Sequence, residues 1–244
     1  MTTIAVLGAT SAIAHGALRD WAATGVEFRL VARDPEKLGR VATDLSTRGA
    51  TVRSIVRDLG DAAGVEAAVD EAFAGGAVDV VLVAFGTMPS QAEADADPAV
   101  AASLLTTNGT LCLLAAHLVT LRLLDQGHGH LGVIGSVAGD RGRQSNYLYG
   151  AAKAMVATGV AGLQHRVAGT AVRVTMVKPG PTATPMTDHL RGGSLQLATV
   201  ETVARDLVRA VDAGKPVVYT PRKWALIMTI IRLLPRRLFE RTKL

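Results

Sequence analysis

The sequence is poor in cysteine, in charge and in long apolar runs, and each scarcity excludes something. Its single cysteine, Cys112, cannot form an intrachain disulfide, which fits a reducing, cytoplasmic setting. Charged residues make up only 19% of the chain against 49% apolar, a globular composition and not a disordered one. Of the net charge of +5, residues 222–244 supply +6 through seven Lys/Arg and one acid, so residues 1–221 carry −1 and offer nothing to a nucleic acid. No basic residue precedes the first apolar run, and Gly8 interrupts it early. Although Ser11-Ala12-Ile13-Ala14 mimics a cleavage site, a buried first strand is therefore expected and not a secretory leader. Neither an internal repeat nor a low-complexity tract is present, and no metal site is expected.

What remains is alternation. Strand-like runs fall at Ile4–Leu7, Glu27–Val31, Thr51–Val56, Val78–Ala84, Leu131–Gly135 and Val172–Val177. Helical patterns lie between and after them, at about 12–24, 35–48, 61–74, 98–126 and 147–168. Strands buried on both faces and separated by helices predict one α/β domain over residues 1–221, a doubly wound parallel sheet. Residues 222–244 form a separate basic, hydrophobic tail. Ligands of such sheets bind beyond the carboxyl ends of the strands.

The residues at those ends suit a dinucleotide. After strand one, Gly8-Ala9-Thr10-Ser11-Ala12-Ile13 makes a turn into a helix; Gly8 permits the tight bend, the helix start offers free N–H groups to a pyrophosphate, and Thr10 and Ser11 add hydroxyls. His15 is expected on the helix surface. After strand two, Arg33 suits a 2′-phosphate, which favours NADP(H) over NAD(H); Asp34 is either an acid for the 2′-hydroxyl or a cap for the helix opened by Pro35. Asp58, followed by Leu59, is either an adenine contact or a turn residue. Ala84-Phe85-Gly86 lets the backbone pass close to a ribose. Asn108 interrupts a long apolar helix and either holds a water or kinks the helix. Pro179, Gly180, Thr182 and Thr184 lie in a stiff loop where a hydroxyl can meet a carboxamide or a phosphate, and 185–198, with Met186, is expected to be a mobile lid over the substrate.

The densest chemistry lies between Ser136 and Lys153. Ser136 follows a strand, while Tyr149 and Lys153 stand four residues apart on one face of a helix. An ammonium about 4 Å from a phenol stabilises the phenolate by about 4 kcal/mol at an effective dielectric of about 20. That is roughly three pKa units from an ordinary value near 10. Such a phenol can give a proton to a carbonyl oxygen while a serine hydroxyl holds that oxygen and a hydride reaches the carbon.

The ordered set of Gly8 turn, Asp58, Asn108, Ser136, Tyr149, Lys153 and Pro179-Gly180 resembles the short-chain dehydrogenase/reductase family over about residues 1–215. The resemblance implies a Rossmann-type sheet of about seven strands and a nicotinamide cofactor. It also implies an Asn108–Ser136–Tyr149–Lys153 tetrad in which Tyr149 donates the proton, Ser136 orients the carbonyl, Lys153 lowers the phenol's pKa and binds ribose, and Asn108 anchors a relay water. Long helices at 98–126 and 147–168 resemble those that pair family members into dimers or tetramers. Ala12, Ala14 and Val83-Ala84-Phe85-Gly86 depart from the family pattern.

Three shorter stretches, around Val78–Gly86, at Ala138–Arg143 and in the tail, are similar to reductases of decaprenylphosphoryl-2-keto-ribose. Those enzymes reduce a lipid-linked keto-sugar in cell-envelope synthesis beside a flavoprotein oxidase partner. Arg141 and Arg143, close to Ser136, then become candidates to pair with a substrate phosphate, or they are solvated loop residues. In the tail, Trp224–Ile231 is too short to span a bilayer, which takes about 20 residues. With its arginines it either lies on an anionic membrane at the cytoplasmic face, at about 1 kcal/mol per basic residue, or packs on the body or a second subunit. Three functions follow: a reductase of a lipid-linked keto-sugar; a soluble reductase of simple ketones, acyl chains or steroids; and a catalytically silent nucleotide sensor, which a complete tetrad argues against.

Overall fold

A computed structural model of the 244-residue chain describes residues 1–190 and 196–242. Seven parallel strands form one sheet: β1 (Thr2–Leu7), β2 (Val26–Ala32), β3 (Thr51–Val56), β4 (Val80–Val83), β5 (Gly129–Ile134), β6 (Val172–Pro179) and β7 (Val217–Thr220), in the spatial order β3-β2-β1-β4-β5-β6-β7. The order reverses between β1 and β4, where Leu7 lies opposite both Val31 and Val83, and the crevice at their carboxyl ends is the binding position of such sheets. Central strands are buried on both faces, as the near-continuous burial of β1 shows, whereas the edge strand β3 buries only Ile55.

Helices cover both faces. On one side α1 (Ala12–Trp21), α2 (Pro35–Ser46) and α8 (Val200–Asp212) pack Ala17, Leu18, Leu45 and Leu207 against Phe28, Leu30 and Leu82. Gly16 allows α1 and α8 to touch, since a Cβ there would lie 2.9 Å from that of Ala204. On the other side α3 (Ala62–Phe73), α6 (Cys112–Gln126) and α7 (Tyr147–Arg166) pack Val69, Ala116, Val119 and Val160 against Leu131 and Val133. Arg29 on β2 is 2% exposed; its guanidinium donates to the carbonyls of Ala72, Gly75 and Gly76 where α3 ends, and pairs with Glu27. A cation there meets carbonyls with no helical partner.

The six expected strands and five expected helices are all present; helix ends are trimmed by a few residues, β1, β2 and β6 run one or two residues longer, β5 starts two residues earlier, and β4 is four residues long and not the seven of Val78–Ala84. The segment 98–126 is α5 (Pro98–Leu105), a π-helical turn (Thr106–Leu111) and α6 in one rod. Its 29 residues, with a mean hydropathy of 1.5 in the most apolar window, would reach across a membrane by length and composition. Here the rod packs on α3 and α7 and is a core helix of the domain.

Beyond the alternation read from sequence lie the short α4 (Gln91–Ala96), α8 and β7. β7 is four residues between Pro216 and Pro221, too short to carry a periodicity. The tail is helical, as α9 (Lys223–Leu233) and α10 (Arg236–Phe239). It builds a third, small core in which Trp224, Met228 and Ile231 meet Val137.

Candidate active site

The turn after β1 is shaped by Gly8, whose φ is +93°, the left-handed region that favours glycine; a Cβ there would stand 2.6 Å from the backbone nitrogen of Phe85 at the end of β4. The N–H groups of Gly8 and Ala9 donate to the carbonyl of Val31, at 2.9 and 3.0 Å, which ties the turn to the end of β2. Ser11 is the N-cap of α1 but its hydroxyl caps nothing. That hydroxyl, the exposed Thr10 and the first-turn N–H groups of Ala12 and Ile13 face no helical partner, which is the donor set a pyrophosphate takes. His15 bonds Asp44 at 2.7 Å on the helix surface, and Arg19 joins the same carboxylate, holding Asp44 down at about 2.

At the adenosine end Asp34 is the cap of α2. It accepts from the Lys37 N–H at 3.0 Å, and that bond holds its carboxyl below the ordinary range. Arg33 is exposed and has no ion-pair partner among the described residues. Asp58 makes no hydrogen bond among them, so its carboxylate is free, and Leu59 after it is buried. Asp61, not Asp58, caps α3, by accepting from Gly64 N–H at 2.7 Å.

The π turn places Asn108, fully buried, against the end of β4. Its Oδ1 accepts from the Thr87 N–H at 3.0 Å and its Nδ2 donates to the Leu104 carbonyl at 3.0 Å. Gly86 is required here, because a Cβ would lie 2.5 Å from Asn108 Oδ1 and 3.9 Å from Lys153 Nζ. Cys112 closes the same corner by donating to the carbonyls of Phe85 and Thr107, each at 3.3 Å, and burial pushes its thiol up. A π turn opens the i→i+4 ladder and is common at functional sites. Asn108 thus sits at a break in the helix beside Lys153, with partners for its side chain.

Ser136 ends β5 in extended conformation, its Oγ accepting from Ala138 N–H at 3.1 Å. The short 3-10 turn after it, Val137–Asp140, is pressed onto α7. A Cβ on Gly139 would lie 2.7 Å from the Lys153 carbonyl carbon, and one on Gly150 2.9 Å from the Ala138 oxygen. Those two glycines bring Ser136 to the helix face that carries Tyr149 and Lys153. Lys153 is 4% exposed; its Nζ bonds the Ile134 carbonyl at 3.4 Å and lies 5.7 Å from the centre of the Tyr149 ring. The four candidate catalytic residues therefore come together at the carboxyl ends of β4 and β5.

Farther along, Thr182 is buried and donates to the Gly180 carbonyl at 2.9 Å, and the hydroxyls of Thr184 and Thr187 are 3.3 Å apart. This loop spends its hydroxyls on its own geometry. Met186 is exposed in the 3-10 segment Pro185–Leu190; the lid expected over 185–198 falls partly outside the described residues.

The two loop arginines separate. Arg141 is committed to the tail, donating to the carbonyls of Ile231, Arg232 and Leu234 at the end of α9, with its guanidinium carbon 3.9 Å from the Phe239 ring centre. Next to it Asp140, 3% exposed, pairs with Lys178 at 2.6 Å and accepts from Tyr219 at 2.7 Å; burial and that bond push the phenol up to about 12. Arg143 has no acid. Its Nε is buried without a hydrogen-bond partner, as is Oδ1 of Asn146, and desolvation lowers its pKa.

Sequence reasoning missed Trp224, which lies against Gly180, and Thr87, which holds Asn108. Gly86 signals a close approach but not its partner. Among the described residues no group of His, Cys, Asp and Glu could hold a metal ion. An open cavity of about 440 Å³ between the end of α7 and the starts of β6 and β7, lined by Gln164 and Arg173, lies at the opposite end of the sheet from this chemistry.

The donor set, the glycine cradle at Gly8 and Gly86 and the free Asp58 fit a nicotinamide dinucleotide. Residues 2–194 match the short chain dehydrogenase family. An uncharacterized oxidoreductase of Streptomyces coelicolor is 36% identical over 240 residues, covering 98% of this chain and 95% of the other. Sulfoacetaldehyde reductase 2 of Chromohalobacter salexigens is 32% identical over 223 residues, 89% of this chain and 87% of its own. In fold, the chain is similar to a short-chain dehydrogenase from Sphingobium yanoikuyae solved with NADPH, with a TM-score of 0.82, 23% identity and 97% of each chain covered. The chain belongs to the short-chain dehydrogenase family and is a NAD(P)-dependent oxidoreductase.

Proposed function

We propose that this chain is an NADP(H)-dependent reductase that interconverts a ketone and a secondary alcohol on a substrate bearing an anionic group, a keto-pentose carried on a polyprenyl phosphate. One observation carries the substrate class: Arg143, midway along the loop from Ser136 to Tyr149, is half-buried, with its Nε buried and unbonded and no carboxylate partner among the described residues. A half-buried cation with a buried N–H that meets no acceptor is costly unless something anionic completes it. The sulfonate of sulfoacetaldehyde, in the name of one relative, is an anion of the same kind.

Bound beyond the carboxyl ends of the strands, near Gly8, Arg33 and Asp58, a nicotinamide dinucleotide would supply the hydride for the carbonyl carbon. Tyr149 gives its phenolic proton to the carbonyl oxygen as negative charge develops there, and the Ser136 hydroxyl donates a hydrogen bond to the same oxygen. Lys153 holds positive charge under the phenol, and Asn108, locked by Thr87 and Leu104, fixes the corner through which the proton is replaced. Arg33, unpaired where Asp34 is occupied as a cap, supports NADP(H) over NAD(H). In this reading a flavoprotein oxidase partner makes the ketone, the chain works at the cytoplasmic face of the membrane in cell-envelope synthesis, and copies pair through α6 and α7 as a dimer or tetramer.

The sulfoacetaldehyde relative equally favours a second reading, a soluble reductase of simple carbonyl compounds. Cofactor oxidation on addition of a polyprenyl-phosphate keto-pentose, with NADPH and NADH compared and Tyr149→Phe as control, separates the two. Turnover that the variant loses by about a hundredfold or more supports the lipid-linked substrate. Reduction of small ketones alone would discard it and keep the oxidoreductase.

A further inference from the structure

We infer that the outer face of α9 and α10 docks the enzyme on a bilayer surface containing anionic lipid. α9 has two apolar faces. The inner one, Trp224, Met228 and Ile231, is buried against Val137. The outer one is a stripe: Leu226, Ile230 and Leu233, at 67%, 53% and 77% exposure, fall within about 60° of one another around the helix, and Leu238 on α10 is likewise 52% exposed. Exposed leucines and isoleucines at successive helical turns have no folding purpose in a single chain.

Charge identifies what covers them. Arg222 and Lys223 are exposed at the start of the stripe and Arg236, Arg237 and Arg241 beyond its end, while the one acid, Glu240, is already paired with Arg236 at 2.6 Å. A second copy paired face to face would set these cations against themselves, since a two-fold interface brings each patch to its own image. An anionic lipid surface offers apolar depth for the stripe and negative charge for its ends. The stripe is rigidly coupled to the catalytic wall. Val137 follows Ser136, Arg141 holds the end of α9, and Trp224 touches Gly180 in the loop after β6. A docked α9 thus holds the reductase beside a substrate whose lipid tail stays in the bilayer. The purpose rests on the lipid-linked reading above, but docking itself does not depend on turnover.

The test is co-sedimentation of the full chain with vesicles of phosphatidylcholine and phosphatidylglycerol, against phosphatidylcholine alone. Cutting the chain before α9 would uncover Val137, so two surface variants are used: Leu226→Ser/Ile230→Ser/Leu233→Ser, and Arg236→Glu/Arg237→Glu/Arg241→Glu. Both should keep NADPH binding and the reduction of a water-soluble ketone. Binding to anionic vesicles only, reduced at least tenfold in both variants, is the expected result. Wild-type protein that stays in solution, or variants that sediment equally, would overturn the inference. So would an oligomer that dissociates in the leucine variant without any vesicle binding, which would assign the stripe to a second copy.

Discussion

The indole of Trp224 lies directly against Gly180, so closely that a Cβ on residue 180 would overlap its ring. A residue of the tail thus forms part of the loop that follows β6 at the dinucleotide end of the sheet. Gly180→Ala should force one of the two aside. Overpacking of this kind costs about 1–3 kcal/mol. We expect a lower Tm and a raised KM for the cofactor, with Trp224→Phe in the same background recovering part of both.

The two neighbouring loop arginines should behave oppositely. Arg141→Ala removes charge-assisted hydrogen bonds from the carbonyls that end α9, at a cost of about 2 kcal/mol or more. For a chain of this size that lowers Tm by roughly 5 °C. Arg143→Ala should leave Tm unchanged or higher, because it removes a buried Nε that bonds nothing, and should raise KM for a phosphate-bearing ketone about tenfold. Thermal melts and steady-state kinetics on the two variants check both statements.

Arg33→Ala should weaken NADPH about tenfold or more and leave NADH nearly unaffected, since the lost partner is the 2′-phosphate alone. Titration of each cofactor by fluorescence reads this without a substrate. Equal losses for both cofactors would refute the assignment of Arg33.

His130 carries a pH-dependent part of stability. Burial first, then Arg173, lowers its pKa from 6.5 to about 4, and its Nε2 sits 2.7 Å from the Thr175 hydroxyl. Between those values the unfolded chain binds a proton that the folded chain refuses, so this contribution is complete above 6.5 and declines as pH falls towards 4. Urea unfolding from pH 7 to pH 4 should show a shallower decline in His130→Gln than in wild type.

The alternation of strands and helices, the parallel sheet it implies and the candidate residues at its carboxyl end were legible because each rests on local pattern. Apolar runs gave the strands, Tyr149 and Lys153 share a helix face by spacing alone, and Gly8 announced a turn that only glycine tolerates. What stayed hidden depends on distant partners. Nothing near Gly180 foretells Trp224, and Arg141 and Arg143 are indistinguishable in sequence although one caps a helix ninety residues away and the other leaves its Nε buried without a hydrogen bond. β7 escaped because four residues between prolines carry no period. Asp34 was ambiguous until the bond to Lys37 made it a cap.

The π turn at Thr106–Leu111 acts as a phase shifter in an otherwise continuous rod. One residue more than the α repeat rotates everything before it by about 100° relative to everything after it. α5 and α6 can therefore share one axis while burying differently oriented faces, Leu104 on one side of the step and Cys112, Ala115 and Val119 on the other. Asn108 stands at the step. Deleting a residue there would restore regular winding and put one half of the rod out of phase with its neighbours, so the position of the Asn108 amide is tied to the indexing of the longest helix among the described residues.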